Sequence, residues 1–135
     1  MTTTAPLDAL GASKYISLTT FRGDGSPVPT PVWVVRDGEV LRILTDPGSG
    51  KVRRLRANPA VVISPCDMRG RVKADALVVS GTAVIDDEAE TVRTMGLIEK
   101  RYGLMGRILG WLNSRKARKA AGGEIGHIGL RVTLG

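Results

Sequence analysis

Aromatic residues are scarce in this chain: two Trp, two Tyr and one Phe among 135 residues. A hydrophobic core must therefore come from Val, Leu, Ile and Ala, and Val-rich runs favour strands. The same scarcity argues against single-stranded nucleic-acid binding, which stacks bases on exposed rings. Cys66 is the single cysteine, which excludes an internal disulfide. With one histidine, His127, and no Cys, His or carboxylate cluster at ligand spacing, the sequence offers no metal centre. No apolar run approaches a membrane span, and the N-terminal MTTTAPLDALGASK lacks the basic start and long apolar stretch of a secretory signal. The expected compartment is the cytoplasm, and the expected organisation is one domain over 1–135.

Hydrophobic residues make up 42% of the chain, enough for one core, and the net charge of +7 is unevenly placed. Seven cations lie between Lys51 and Lys73 against Asp67 alone, and seven more between Lys100 and Lys119. Two basic patches point to anionic partners: a phosphorylated cofactor, nucleic acid or an acidic membrane face.

The chain reads mainly as strands. Thr4 to Gly11 predicts a short helix with Leu7 and Leu10 inward. Lys14 to Arg22 alternates as a strand, and Gly23 to Ser26 signals a hairpin turn. The next strand, Pro27 to Arg36, carries Pro27, Pro29 and Pro31, so its first half must be edge-like or bulged. Glu39 to Thr45, Ala60 to Pro65, Ala76 to Asp86 and Ile125 to Leu134 complete six antiparallel strands, with Gly81 marking a bulge or barrel bend. Helices are expected from Asp87 to Arg101, with Val92, Met95, Ile98 and Tyr102 at core spacing, and from Leu104 to Ala120. The latter is basic and amphipathic and is read as a cover on the core rather than a membrane-surface helix. The architecture is a small barrel with about four peripheral helices.

The chemistry concentrates in TDPGSGKVRRLRANP, from Thr45 to Pro59. Pro47, Gly48 and Gly50 end a strand, Ser49 is a plausible N-cap, and a helix of about two turns must stop before Asn58 and Pro59. Val52 and Leu55 can face the core, which leaves Lys51, Arg53, Arg54 and Arg56 on the surface. A glycine-lined helix start with a lysine in its first turn suits a phosphate. A nucleotide P-loop fails here, because Thr45 stands where its first glycine is required and Val52 where its magnesium-holding Ser or Thr belongs. A solvated basic face is the plainer alternative.

The stretches KYISLTTFRGDGSPVPTPVWVV, RILTDPGSGKVRRLRANPAVVISPCD and VVSGTAVI together resemble the flavin/deazaflavin-dependent oxidoreductases of the pyridoxamine-5′-phosphate-oxidase-like split-barrel superfamily, most closely the coenzyme F-420-dependent branch. The resemblance runs from about Tyr15 to the last strand. It implies a six-stranded antiparallel split β-barrel that pairs as a homodimer, with cofactor sites at the subunit interface. It places the cofactor phosphate at Thr45, Ser49, Gly50, Lys51 and Arg54, the stretch already singled out by its charge. It places the ring along Pro31, Val32 and Trp33, with Pro65, Cys66 and Asp67 nearby. No catalytic triad is implied, because the cofactor carries out hydride transfer. His127 and Cys66 accordingly read as structural.

Coenzyme F-420 is the expected cofactor, since its phosphodiester and oligoglutamate tail needs a long positive track, and FMN is the alternative. The substrate is expected to be a small conjugated organic molecule. The rival class is a protein that carries a flavin, deazaflavin or haem-like ligand without turnover. Nucleic acid and membrane are not expected partners. The loop MRGRVKADA, from Met68 to Ala76, is an addition to the family pattern, as is the long basic stretch after Gly103.

Overall fold

A computed structural model describes residues 4–103 and 127–135. Its single sheet has seven antiparallel strands: β1 (Tyr15–Phe21), β2 (Pro27–Val32), β3 (Val35–Asp37), β4 (Val40–Thr45), β5 (Ala60–Cys66), β6 (Val79–Ile85) and β7 (Ile128–Leu134). Helix α1 (Thr4–Ala12) precedes β1, α2 (Gly50–Ala57) joins β4 to β5, and a third helix, α3, follows β6 over 88–103. The helix expected over 104–120 lies outside the described residues.

The spatial order is β2-β1-β5-β6-β7-β4-β3. Its two outermost strands, β2 and β3, are separated in sequence only by Trp33 and Val34. The two edges of the sheet must therefore approach each other, which curls it into a half-barrel split between β2 and β3. The single strand expected from Pro27 to Arg36 is thus two strands on opposite edges. Seven strands replace six because the chain bends where it crosses the split.

The prolines sit as an edge strand requires. Arg22 donates its backbone N–H to Ser26 O at 3.0 Å, and Phe21 is then opposite Pro27, Thr19 opposite Pro29 and Ser17 opposite Pro31. Since hydrogen-bonded pairs alternate along an antiparallel ladder, all three prolines fall at the outward-facing positions. The ladder to β1 loses no donor. The free edge of β2 loses every donor those positions would offer to another strand.

The core lies inside the curl. Ile16, Leu18, Leu41, Ile43, Ile63, Leu130 and Val132 are fully buried, joined by Leu10 of α1 and Val52 of α2. Leu7, Leu10, Val52 and Leu55 face inward as their spacing predicts. Gly81 is not a bulge, for its register with β5 and β7 is unbroken. A Cβ there would lie 2.6 Å from the Thr133 carbonyl oxygen, so close backbone approach explains the glycine.

Helix α3 buries only part of the face its apolar spacing predicts: Ile98 and Tyr102 turn inward, Val92 and Met95 do not. Thr91, Thr94 and Ile98 are buried, whereas Val92 is 61% and Met95 40% exposed. The small threonines let the helix settle onto β7 at Gly129, where an added Cβ would lie 3.3 Å from Thr91 Cα and 3.1 Å from Thr94 Oγ1. Thr91 Oγ1 accepts the Gly129 N–H at 3.0 Å. Around this contact Arg42 pairs with Asp37 at 2.7 Å and with Glu90 at 2.8 Å, and it lies 3.7 Å from the wholly buried Asp86 carboxylate. Arg131 approaches Asp86 at 3.5 Å from β7, and Arg93 holds Asp37 from α3 at 2.9 Å.

Candidate functional site

The turn after β4 is shaped by Asp46. Its side-chain Oδ1 accepts the Gly48 N–H at 2.8 Å, and its carbonyl accepts the Ser49 N–H at 3.0 Å. Such an Asx turn aims the chain into α2 at Gly50. Ser49 stands at the N-cap in extended conformation but makes no side-chain cap bond. Its Oγ lies 3.5 Å from Thr45 Oγ1 instead. The first-turn N–H groups of α2 therefore keep no side-chain acceptor, and two hydroxyls stand beside them.

Two cations complete this corner. Arg54, one turn along α2, folds back over the helix start, so that a Cβ on Gly50 would lie 2.7 Å from Arg54 Nη1. Its Nε donates to Thr20 Oγ1 of β1 at 2.6 Å, which fixes the guanidinium. Lys51 is half-buried, and burial, then the nearby Arg54 charge, push its ammonium below the usual lysine range, with Asp46 opposing weakly. Among the described residues no carboxylate forms an ion pair with Lys51 or Arg54. Positive charge is thus held together at a cost, and an anion would relieve it.

Thr45 and Ser49 stand together, Arg54 lies over Gly50, and Lys51 is in the first turn of the same helix. Thr20 belongs to this group although no motif marks it. Its signal is a polar residue on the inward face of β1 that otherwise holds Ile16 and Leu18, all three fully buried.

The expected ring contacts are less unified. Ile16 of β1 is opposite both Val32 of β2 and Pro65 of β5, so these three share the inward face with Thr20. Ile16 is four residues from Thr20, about 13 Å along the strand. Pro31 and Cys66, opposite Ser17 and Tyr15, lie on the outer face. There Gly70, at φ +85°, brings the added loop against Pro31, with its Cβ position 3.3 Å from Pro31 Cδ. Asp67 shapes that loop, accepting N–H bonds from Arg69 and Arg71 at 2.9 Å each and pairing with the Arg71 side chain. Burial, then Asp67, raise the Cys66 thiol pKa, which opposes thiolate formation.

Trp33 stands in the split. Its ring stacks on Tyr102 of α3 at a centroid separation of 4.3 Å and 6°, and Tyr15 lies 6.5 Å away. Among the described residues no group of three His, Cys, Asp or Glu could hold a metal ion, and no helix is long and apolar enough to cross a membrane.

A family model described as pyridoxamine 5′-phosphate oxidase matches residues 3–123. No curated protein sequence matches the chain. Among solved structures, an F-420 reductase shares 21% identity and a TM-score of 0.54, with 95% of this chain and 92% of that one covered. HutZ, a heme storage protein from Vibrio cholerae, shares 16% identity and a TM-score of 0.66, covering 98% and 90%. An FAD-binding protein from Mesorhizobium loti shares 16% identity and a TM-score of 0.64, covering 96% and 85%. At these identities the structures speak to the fold, and all three agree with the curled antiparallel sheet. The family match spans most of the chain, and the chain belongs to the pyridoxamine 5′-phosphate oxidase family.

Proposed function

We propose that this chain is an oxidoreductase that holds coenzyme F-420, with FMN as the alternative cofactor, and acts on a small conjugated organic molecule. The carrying observation is the pair Lys51 and Arg54 at an uncapped helix start, with no carboxylate ion pair among the described residues. A phosphate or phosphodiester fits this corner: it would take first-turn N–H bonds of α2, hydroxyl bonds from Thr45 and Ser49, and charge from Lys51 and Arg54. When bound, the deazaflavin or flavin supplies hydride transfer. The chain's own residues bind and orient. Arg54 is aimed by Thr20, while Val32 and Pro65 offer an apolar wall on the same face of the sheet.

The F-420 preference rests on the cations beyond the phosphate corner. Arg53, Arg56, Arg69, Arg71 and Lys73 are exposed, and a polyanionic tail would find them. The similarity in fold to an F-420 reductase supports the same choice. We further propose a homodimer in the cytoplasm with cofactor sites at the interface, supported by the exposure of Val78 (65%) and Val84 (48%) on and beside β6. The heme storage protein of similar fold favours a second reading, ligand carriage without turnover.

Titration of the purified protein with F-420 and with FMN, followed by tryptophan quenching, tests the reading. Tighter F-420 binding, weakened by shortening the glutamate tail, is the expected result. Preference for FMN moves the protein to the flavin alternative, and binding of neither removes the proposal. Hydride exchange with a panel of electron-poor substrates then separates an enzyme from a carrier.

A further inference from the structure

The split in the barrel leaves a backbone problem that α3 solves. Val34 is fully buried, yet it lies between β2 and β3 and belongs to neither ladder. Its N–H and C=O need partners away from water. Both come from the last turn of the described part of α3. The Val34 N–H donates to Tyr102 Oη at 3.1 Å, and Arg101 Nη1 donates to Val34 O.

The same two side chains reach the other bank of the split. Tyr102 Oη donates to Lys14 O at 2.7 Å, and Arg101 Nη2 donates to Ser13 O at 2.9 Å. The Arg101 guanidinium also lies 5.2 Å from the Tyr102 ring centroid, and Trp33 stacks on the same ring at 4.3 Å. One arginine and one tyrosine thus tie the residues leading into β1 to the bend between β2 and β3. They satisfy backbone groups of the bend that no strand ladder reaches.

We infer that Arg101 and Tyr102 are positioning residues: they hold the bend at Trp33 and Val34 in one conformation, and so fix the end of β2 that carries Val32. The consequence for ring binding rests on the proposed cofactor site; the consequence for the bend does not. Trp33 is the part of the bend whose side chain is set by the tyrosine ring, and Val34 is the part set by the hydroxyl. The two contributions can be separated by substitution.

The test is Tyr102→Phe, which keeps the ring against Trp33 and removes the hydroxyl, with Arg101→Gln as a second variant. Amide hydrogen exchange is measured in the full-length protein, along with affinity for FMN, F-420 and inorganic phosphate. Loss of one hydrogen bond should speed exchange of the Val34 amide about tenfold, while Leu130 and Val132 in β7 keep their rates. FMN and F-420 affinity should fall several-fold with inorganic phosphate affinity unchanged, because the phosphate corner does not touch the bend. An unchanged Val34 amide in both variants overturns the inference, as does a uniform rise across all strands, which would make the pair a general stabiliser. A loosened Val34 with unaltered FMN and F-420 affinity overturns the positioning role. If the wild-type protein binds neither cofactor, the functional reading fails and the Val34 amide alone decides the role of the pair.

Discussion

Two groups of charged side chains in this molecule have opposite designs. Beneath α3, Arg42, Arg93 and Arg131 are interleaved with Asp37, Asp86 and Glu90, three cations against three anions. At the start of α2, Lys51 and Arg54 stand together, and among the described residues no carboxylate forms an ion pair with either. The first group joins β3, β4, β7 and α3, and its charges are answered within the chain. In the second, the Thr20 hydroxyl accepts from Arg54, and among the described residues no carboxylate pairs with either cation. Compensation fits a structural role, and its absence among the described residues is the ground for the proposed binding role.

Removing a cation from each group breaks the comparison most sharply. Arg42→Ala strands Glu90, which loses its 2.8 Å ion pair, and the wholly buried Asp86 carboxylate, which loses a cation at 3.7 Å. The expected loss is about 3 to 5 kcal/mol of stability, read by urea unfolding. Lys51→Ala should leave the unfolding midpoint nearly unchanged, because the ammonium is held at a desolvation cost. It should weaken cofactor binding by about tenfold or more, the value of a charge-assisted bond.

Two glycines sharpen the contrast. An alanine at Gly129 places a Cβ 3.0 Å from Asp86 Oδ2 and 3.3 Å from the Thr91 backbone, where nothing can give freely. Its cost should be about 1 to 3 kcal/mol in thermal or urea unfolding. An alanine at Gly50 meets only the end of the flexible Arg54 side chain, at 2.7 Å. Stability should barely change while inorganic phosphate competes less well for the site, since the guanidinium is displaced.

The smallest effects are in pH. Hydrogen bonding by Arg93, opposed by burial and reinforced by Arg42, lowers the Asp37 carboxyl to about 2. Its stabilisation is complete above the unfolded value near 4 and is lost as pH falls toward about 2. Burial raises the Asp86 carboxyl despite Arg131 and Arg42, so its contribution runs the other way, present below the unfolded value and lost as pH rises through its folded one. Asp37→Asn should therefore cost about 1 kcal/mol at neutral pH, after allowing for solvent screening of the exposed Arg93, and about a third of that near pH 2.5.

Much of the sheet was legible because its signals are local. Alternation in Tyr15–Phe21 and the turn residues at Asp24 and Gly25 act over a few residues, and the strands formed where they pointed. The cationic corner at the start of α2 was legible for the same reason, since glycine, lysine and arginine lie within about one turn of helix. The break after Val32 was not, because it depends on two sheet edges meeting. Helix α3 was legible, with Ile98 inward, but the rest of its buried face was not. Val92 and Met95 carry the apolar spacing, but close approach to Gly129 and the buried charges favour the face with Thr91 and Thr94. Thr20 and Tyr102 became visible only with the partners that tertiary contact brings, Arg54 and Val34.

The central claim is that the unanswered charge at α2 holds an anionic cofactor. It is tested most directly by titrating the wild-type protein and Arg54→Ala with F-420 and FMN, with inorganic phosphate as competitor. The account predicts binding that phosphate displaces and that Arg54→Ala weakens by about tenfold or more, with the unfolding midpoint shifted little. Cofactor binding indifferent to both phosphate and Arg54→Ala would contradict it.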